Sequence, residues 1–436
     1  MIERAESAEF LAGEARGLLT RLEAVQPFSL TISTLPAASI PSAGLSVIEE
    51  YLATGRRVLH DELRRYLNWI LGPGREEGVP EQQRRLTFLR LRFNLVLDQL
   101  DIYADALSQR SEPQIGVWLA GLDRIAADAL RLREPLFDAP PVITYLDRGH
   151  GAAIRRVRTR LPGGGRSPVA LIRVPRERMV GGGVGASLVH EVGHQAAALL
   201  DLNNSLRSAI ERRARAGGAR AVVWQRWSRW IGEIVADLWA IGHLGAGGTV
   251  GLMSVVSLPR AFMFRMESED PHPFPWIRVR LNCVLGRMLF PDPQWDWLDG
   301  FWQSAFPREG LSEDRSVLLE QLEHTAPQLA ELLLGHRARA LRGRSLAEIL
   351  PLEERDVGYL RRRFESWGAR SSGLCKARPT LALAVLGQAR LDGRISPERE
   401  AITLRRLLTQ WAVEPTDRTR MAPFECRRPL ADWDAA

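Results

Sequence analysis

Two histidines four residues apart, with a glutamate directly after the first, are the residues best arranged to do chemistry: His190-Glu191-Val192-Gly193-His194. Positions i and i+4 of a helix lie one turn apart on one face, so both imidazoles can reach a single ion. The glutamate then points beside that ion, where it can take a proton from water. Zinc would bring the water's pKa toward neutrality, within reach of a carboxylate. The flanks, Ala186-Ser187-Leu188-Val189 before and Ala196 to Leu200 after, are apolar. A buried helix carries two histidines and an acid only when they are engaged.

A catalytic zinc site needs a third protein ligand and an open position. Glu233 supplies a candidate ligand, in Gly232-Glu233-Ile234-Val235-Ala236-Asp237. Asp237 falls one turn later on the same face, where its carboxylate can accept the outer N–H of a metal-held histidine and fix its tautomer. Acids at this spacing are common on exposed helix faces. Here the neighbours are Trp230, Ile231, Ile234, Val235 and Leu238, so the two acids need a buried charged partner.

HExxH followed by ExxxD on a later helix resembles the gluzincin group of zinc metallopeptidases. The resemblance covers about residues 165 to 290 and implies that His190, His194 and Glu233 hold Zn2+, with Glu191 as general base and Asp237 behind a ligand. Asp270-Pro271-His272-Pro273 with Arg278-Val279 six residues past the histidine is similar to a motif of some gluzincins. That likeness implies that His272 donates to the oxyanion and that Arg278 braces the active-site acids. It further implies an edge strand, here Val169, Ala170, Leu171 and Ile172, that pairs with an extended peptide or protein substrate. The chain departs from those gluzincins in lacking their clear membrane segments, so the likeness is carried over for the catalytic core alone.

The elements that must position these residues are legible as changes of period. Leucines recur at helical spacing in Tyr51–Leu71 and Arg84–Leu107, with a Pro/Ser-rich stretch from Gln26 to Ser46 between the first helices. Asp138-Ala139-Pro140-Pro141 marks a boundary. Val142 to Tyr145, Ala153 to Leu161 and Val169 to Val174 then read as strands of a small antiparallel sheet, with a glycine turn at 163–165. Helices are expected from Gly185 to Leu200, Ala221 to Leu244 and Pro275 to Phe290, and again between Leu311 and Trp411. The expected architecture is α+β and mostly helical: a zincin-like core at 139–300, between helical regions at 1–138 and 301–436. The helical flanks are expected to offer surfaces to a protein partner.

Composition narrows the class. A chain of 436 residues, 45% hydrophobic and 25% charged, can bury a core without a structural metal. The net charge is +7, and Lys376 is the only lysine. No run of five basic residues occurs, so the arginines are read as solvated helix faces rather than a nucleic-acid site. Cys283, Cys375 and Cys426 are widely spaced and form no disulfide framework, which fits a reducing, cytoplasmic setting. Glu3, Glu6, Glu9 and Glu14 do not suit a secretory signal. Leu238 to Pro259 carries no formal charge, but its five glycines and His243 suggest two buried helices rather than a membrane span.

Other signals are weaker. His243 and His150 are read as core and surface residues, and His60, His324 and His336 as solvated. Leu391-Asp392-Gly393-Arg394 has only half of a calcium loop's ligands. Two rival readings remain at this level: a zincin-like scaffold that docks a partner, and a basic nucleic-acid binder.

Overall fold

The computed structural model describes residues 4–147, 153–157, 159, 161, 165–175, 182–216, 218–267, 270–367 and 372–413. His150 and Cys426 lie outside the described residues, as do 163 and 164 of the expected glycine turn. The chain is mostly helical and divides into two compact units. One comprises Met1–Val117, Pro140–Tyr145 and Arg155–Leu171; the other comprises Trp118–Ala139, Leu146–Ile154 and Ile172–Ala436. This differs from the three-part division read from the sequence.

In the first unit, α1 (Arg4–Glu23), α3 (Ser42–Leu71) and α4 (Val79–Ser108) pack on one another, with the single-turn α2 (Phe28–Thr31) between. Leu11, Ala15, Leu18 and Leu22 of α1 recur at three- and four-residue spacing. They meet Leu59, Leu63, Tyr66 and Ile70 of α3 and Leu86 and Phe93 of α4. A second cluster joins Ile48, Leu52 and Tyr103 to Ile143, Val169 and Leu171. Helix α5 (Pro113–Leu130) follows and straddles the division.

The sheet corrects two expectations. Its strands β1 (Val142–Asp147), β2 (Ala153–Arg155) and β3 (Ala170–Pro175) are ordered β1-β3-β2. The sheet contains a parallel pair, β1 with β3, where antiparallel pairing was expected. The chain between β2 and β3 turns back on itself: Ser167 N donates to Thr159 O at 2.9 Å and Leu161 N to Gly165 O at 2.7 Å. That reversal sets β3 beside β2, and β1 lies on the other side of β3. Val169, Ala170, Leu171 and Ile172 are buried, and β3 has a strand on either side. They are therefore not the free edge expected to bind a peptide, because a middle strand has no unpaired row of backbone groups.

The second unit is built round one buried helix. After α6 (Gly182–Leu199) and α7 (Leu202–Ala216), α8 (Ala221–Leu244) runs through the interior. It is followed by α9 (Ala246–Val256), the single-turn α10 (Arg260–Met263), α11 (Pro275–Leu289), α12 (Gln294–Ala305) and α13 (Glu313–Leu334). The last helices are α14 (Val357–Trp367), α15 (Ser372–Lys376), α16 (Pro379–Leu391) and α17 (Pro397–Val413). Helix α8 is buried on every side from Ile234 to Leu244, while Val222, Gln225 and Arg229 near its start are exposed, and α6, α7, α9, α11, α13 and α16 all contact it. Helices α13 and α16, from the stretch after residue 300, thus pack on α8.

Tryptophans on α8 bury large area while keeping their N–H groups bonded. Trp227 Nε1 donates to Thr325 Oγ1 and Trp239 Nε1 to Ala129 O, each at 2.9 Å. Gly245, with φ of 57°, ends α8 and turns the chain into α9, so the uncharged stretch is two helices broken by a glycine. Among the described residues no helix is long and apolar enough to cross a membrane.

Candidate metal centre

Helices α6 and α8 come into close contact at Gly193. A Cβ there would lie 2.8 Å from both Ala236 Cα and Trp239 Cβ. Gly193 sits between His190 and His194, and Ala236 between Glu233 and Asp237, so the crossing itself brings the four side chains together. Substituting Gly193 with alanine is expected to force the helices apart. The expected cost is about 1–3 kcal/mol of stability and a weakened metal site. Urea unfolding and zinc titration of Gly193→Ala check both; unchanged values would contradict the crossing.

The donor atoms of His190, His194 and Glu233 all lie within 4.8 Å of one another. His190 Nε2 is 3.3 Å from Glu233 Oε2, and His194 Nε2 is 3.3 Å from Glu233 Oε1. A tetrahedral ion with bonds of about 2.1 Å spaces its donors about 3.4 Å apart, so these separations fit one ion. The donor set, two imidazoles and a carboxylate, is one that leaves a coordination position free. His190, His194 and Glu233 can therefore hold a metal ion.

Behind the donors stands a buried charge network. His190 Nδ1 is 2.8 Å from Asp237 Oδ1, which fixes Nε2 as the atom facing the centre. Arg278, on α11, grips Asp237 with two bonds, Nε to Oδ2 at 2.7 Å and Nη2 to Oδ1 at 2.8 Å. Its Nη2 also donates to Glu233 Oε2 at 3.2 Å. Trp230 meets Phe274 edge-on, at 5.9 Å between ring centroids, and ties α8 to the start of α11. Pro275 at the first turn of α11 suits a helix start and aims Arg278 back at α8.

The electrostatics follow from this packing. Burial works against the charge on Glu233, but hydrogen bonds and charge from His190 and His194, with the Arg278 charge, hold its carboxyl far below the usual range. Burial likewise opposes ionisation of Asp237, and Arg278 and His190 overcome it, bringing it down to about 2. Burial would lower His190, yet its bond to Asp237 and contact with Glu233 raise it to about 9. Arg278 is pushed above its usual value by Asp237, Glu233 and Glu191, against the effect of burial.

Glu191 is buried in the same helix, close enough to Arg278 to act on its charge. His272 lies before α11, with Nε2 3.5 Å from Glu233 Oε1. Every site residue named from the HExxH, ExxxD and His-Pro motifs is thus found at one place. Two neighbours were not singled out from the sequence. Asp270 Oδ1 accepts from both the backbone N of His272 at 2.9 Å and its Nδ1 at 2.8 Å. Asn282 Nδ2 reaches Asp237 Oδ2 at 3.4 Å. Its spacing of one turn from Arg278 is the signal that could have found it.

The remaining candidates do not join the centre. His60 lies beside Glu23 and Asp61, and His336 hydrogen-bonds Ser205 Oγ at 2.8 Å. Asp392 is paired with Arg361 through bonds of 3.0 and 2.9 Å, an ion pair and not a calcium loop. His243 is buried, donates Nδ1–H to Trp239 O at 2.9 Å and stacks on the Trp239 ring. Burial pushes it down to about 4.

That value sets a pH window. The unfolded imidazole takes its proton near pH 6.5 and the folded one only near 4, so between them the unfolded state binds more protons. Stability is therefore expected to be undiminished by this group above about pH 6.5 and to fall as pH drops toward 4, by up to about 1.4 kcal/mol per pH unit. Urea midpoints across that range should show a shallower fall for His243→Gln than for the natural chain; equal slopes would contradict it.

No protein-family model matches this chain, and no curated protein or solved structure matches it either.

Proposed function

We propose that the chain is a zinc-dependent peptidase that hydrolyses peptide bonds at this centre. His190, His194 and Glu233 would hold the ion, and the observation that carries the reading is the meeting of these three donors with a buried HExxH glutamate beside them. Zinc bound there supplies Lewis acidity for a carbonyl oxygen and acidifies a water. Glu191 takes a proton from the attacking water and passes it to the leaving amide nitrogen as the C–N bond breaks.

Asp270 holds the ring of His272, and in its charged form the ring offers Nε2–H to the oxygen on which negative charge develops. Arg278 keeps Glu233 and Asp237 ionised and in place through its bonds to both. Asp237, by accepting from His190 Nδ1, keeps the Nε2 lone pair aimed at the centre. The experiment is cleavage of an unbiased peptide library by zinc-loaded protein. Cleavage that chelation abolishes supports the reading; folded, zinc-loaded protein that cleaves nothing favours the scaffold reading instead.

A further inference from the structure

Helix α4 carries its charges in two blocks. Arg84, Arg85, Arg90 and Arg92 lie in its first half; from Phe93 to Ser108 the charged residues are Asp98, Asp101 and Asp105 alone. This order opposes the helix dipole, which favours acids near the start and cations near the end. Asp101 stands three residues from Asp98 and four from Asp105, so like charges are also neighbours on the helix surface. All three acids are exposed, and their carboxylates form no ion pair or hydrogen bond among the described residues. In the basic half, Arg84 and Arg85 share one carboxylate, that of Glu81, at 2.7 and 2.8 Å, and stay 64% and 46% exposed. An apolar strip joins the two halves: Phe88 and Leu91 are 57% and 55% exposed, and Leu95 is half-buried. From Arg84 to Asp105 the steps alternate between four and three residues, through Phe88, Leu91, Leu95, Asp98 and Ile102, which is the spacing of a helix seam that meets another helix.

We propose that this face of α4 docks on the same face of a second copy of the chain, with the two helices antiparallel. The charge pattern decides both the partner and the direction. When the helices pair about a point between Leu91 and Leu95, Arg84 of one copy falls opposite Ile102 of the other, and Arg85 opposite Asp101. Each copy's Arg84 and Arg85 then lie among the other's Asp98, Asp101 and Asp105, twice over by the symmetry of the pair. Phe88, Leu91 and Leu95 leave water at the centre, with the charges at the rim. A parallel pair would set aspartate against aspartate and arginine against arginine, which repels. The seam from Arg84 to Asp105 is about 32 Å long, the width of a small domain.

Sedimentation equilibrium of the whole chain tests this. The natural chain is expected to be a dimer that salt weakens. Leu91→Glu, which puts an unpaired charge at the centre of the contact, is expected to raise the dissociation constant at least about tenfold. Two charge variants fix the direction. Asp98→Arg, Asp101→Arg and Asp105→Arg together make the face basic throughout. Arg84→Glu with Arg85→Glu makes it acidic, since Arg90 and Arg92 are held by Glu14 and Glu62. Each is expected to be a monomer alone, and an equal mixture of the two to form a mixed dimer. The basic variant also places cations at the helix end where the dipole favours them, so its loss of pairing is not a loss of fold. A natural chain that stays monomeric, a dimer indifferent to Leu91→Glu, or charge variants that self-associate or fail to pair when mixed would overturn the proposal. The pairing is independent of the metal centre, so its failure leaves the peptidase reading where it stands.

Discussion

Glu191→Gln is expected to keep its zinc and lose hydrolysis by about a hundredfold to ten-thousandfold, the range supplied by a positioned general base. Glutamine keeps the shape of the side chain and removes its basicity. Glu191 is not one of the three donors, so metal content should be unchanged. The fold should also hold, because Arg278 remains bonded to Asp237 and Glu233. Peptide turnover and zinc content, measured on the same sample, separate the possibilities. Lost activity with lost zinc would mean that the side chain shapes the site rather than accepting a proton. Full activity in the variant would remove Glu191 as the base.

The second large effect is on stability. Arg278→Met should destabilise the metal-free protein by about 3–5 kcal/mol, the usual consequence of removing one partner from a buried ion pair. Asp237 is buried and Glu233 largely so, and each takes a bond from the guanidinium. Methionine fills much of the same space, so the loss isolates the charge. Zinc, which brings positive charge to the same acids, should recover part of the loss. Arg278→Lys should recover little, since an ammonium cannot make the two parallel bonds to Asp237. Urea unfolding with chelator and with zinc measures this, and a loss below about 1 kcal/mol in chelator would mean that the acids are neutralised without the arginine.

The centre is legible in the sequence because its chemistry is local. His190 and His194 share a helix face, as do Glu233 and Asp237, and periodicity alone decides that. The apolar residues on either side of each pair signal that the faces are buried. That the two helices meet at Gly193 and Ala236 is not legible, since it depends on which ridges pack, a property of the pair and of neither helix alone. Asp270 escapes because its role is a hydrogen bond two residues along the chain, and nothing in the spacing Asp-Pro-His singles that out from an ordinary turn.

The sheet departs from expectation for a related reason. Short β-type apolar runs locate β1 and β3 but carry no information about strand order, and short connections make an antiparallel sheet the simplest expectation. The chain places β3 between its neighbours, so Val169 to Ile172 are core residues. The region after residue 300 looks separate in the sequence because no motif links it to the centre. Packing links it: α13 and α16 rest on α8, and Thr325 takes the indole N–H of Trp227.

The most direct test is the zinc content of the purified, folded chain, by elemental analysis alongside His194→Ala and Glu233→Ala. One zinc per natural chain, absent or at least tenfold weaker in each variant, is the expected result. A natural chain that binds no zinc, or variants that hold it as tightly, would contradict the joining of α6 and α8 around a metal ion.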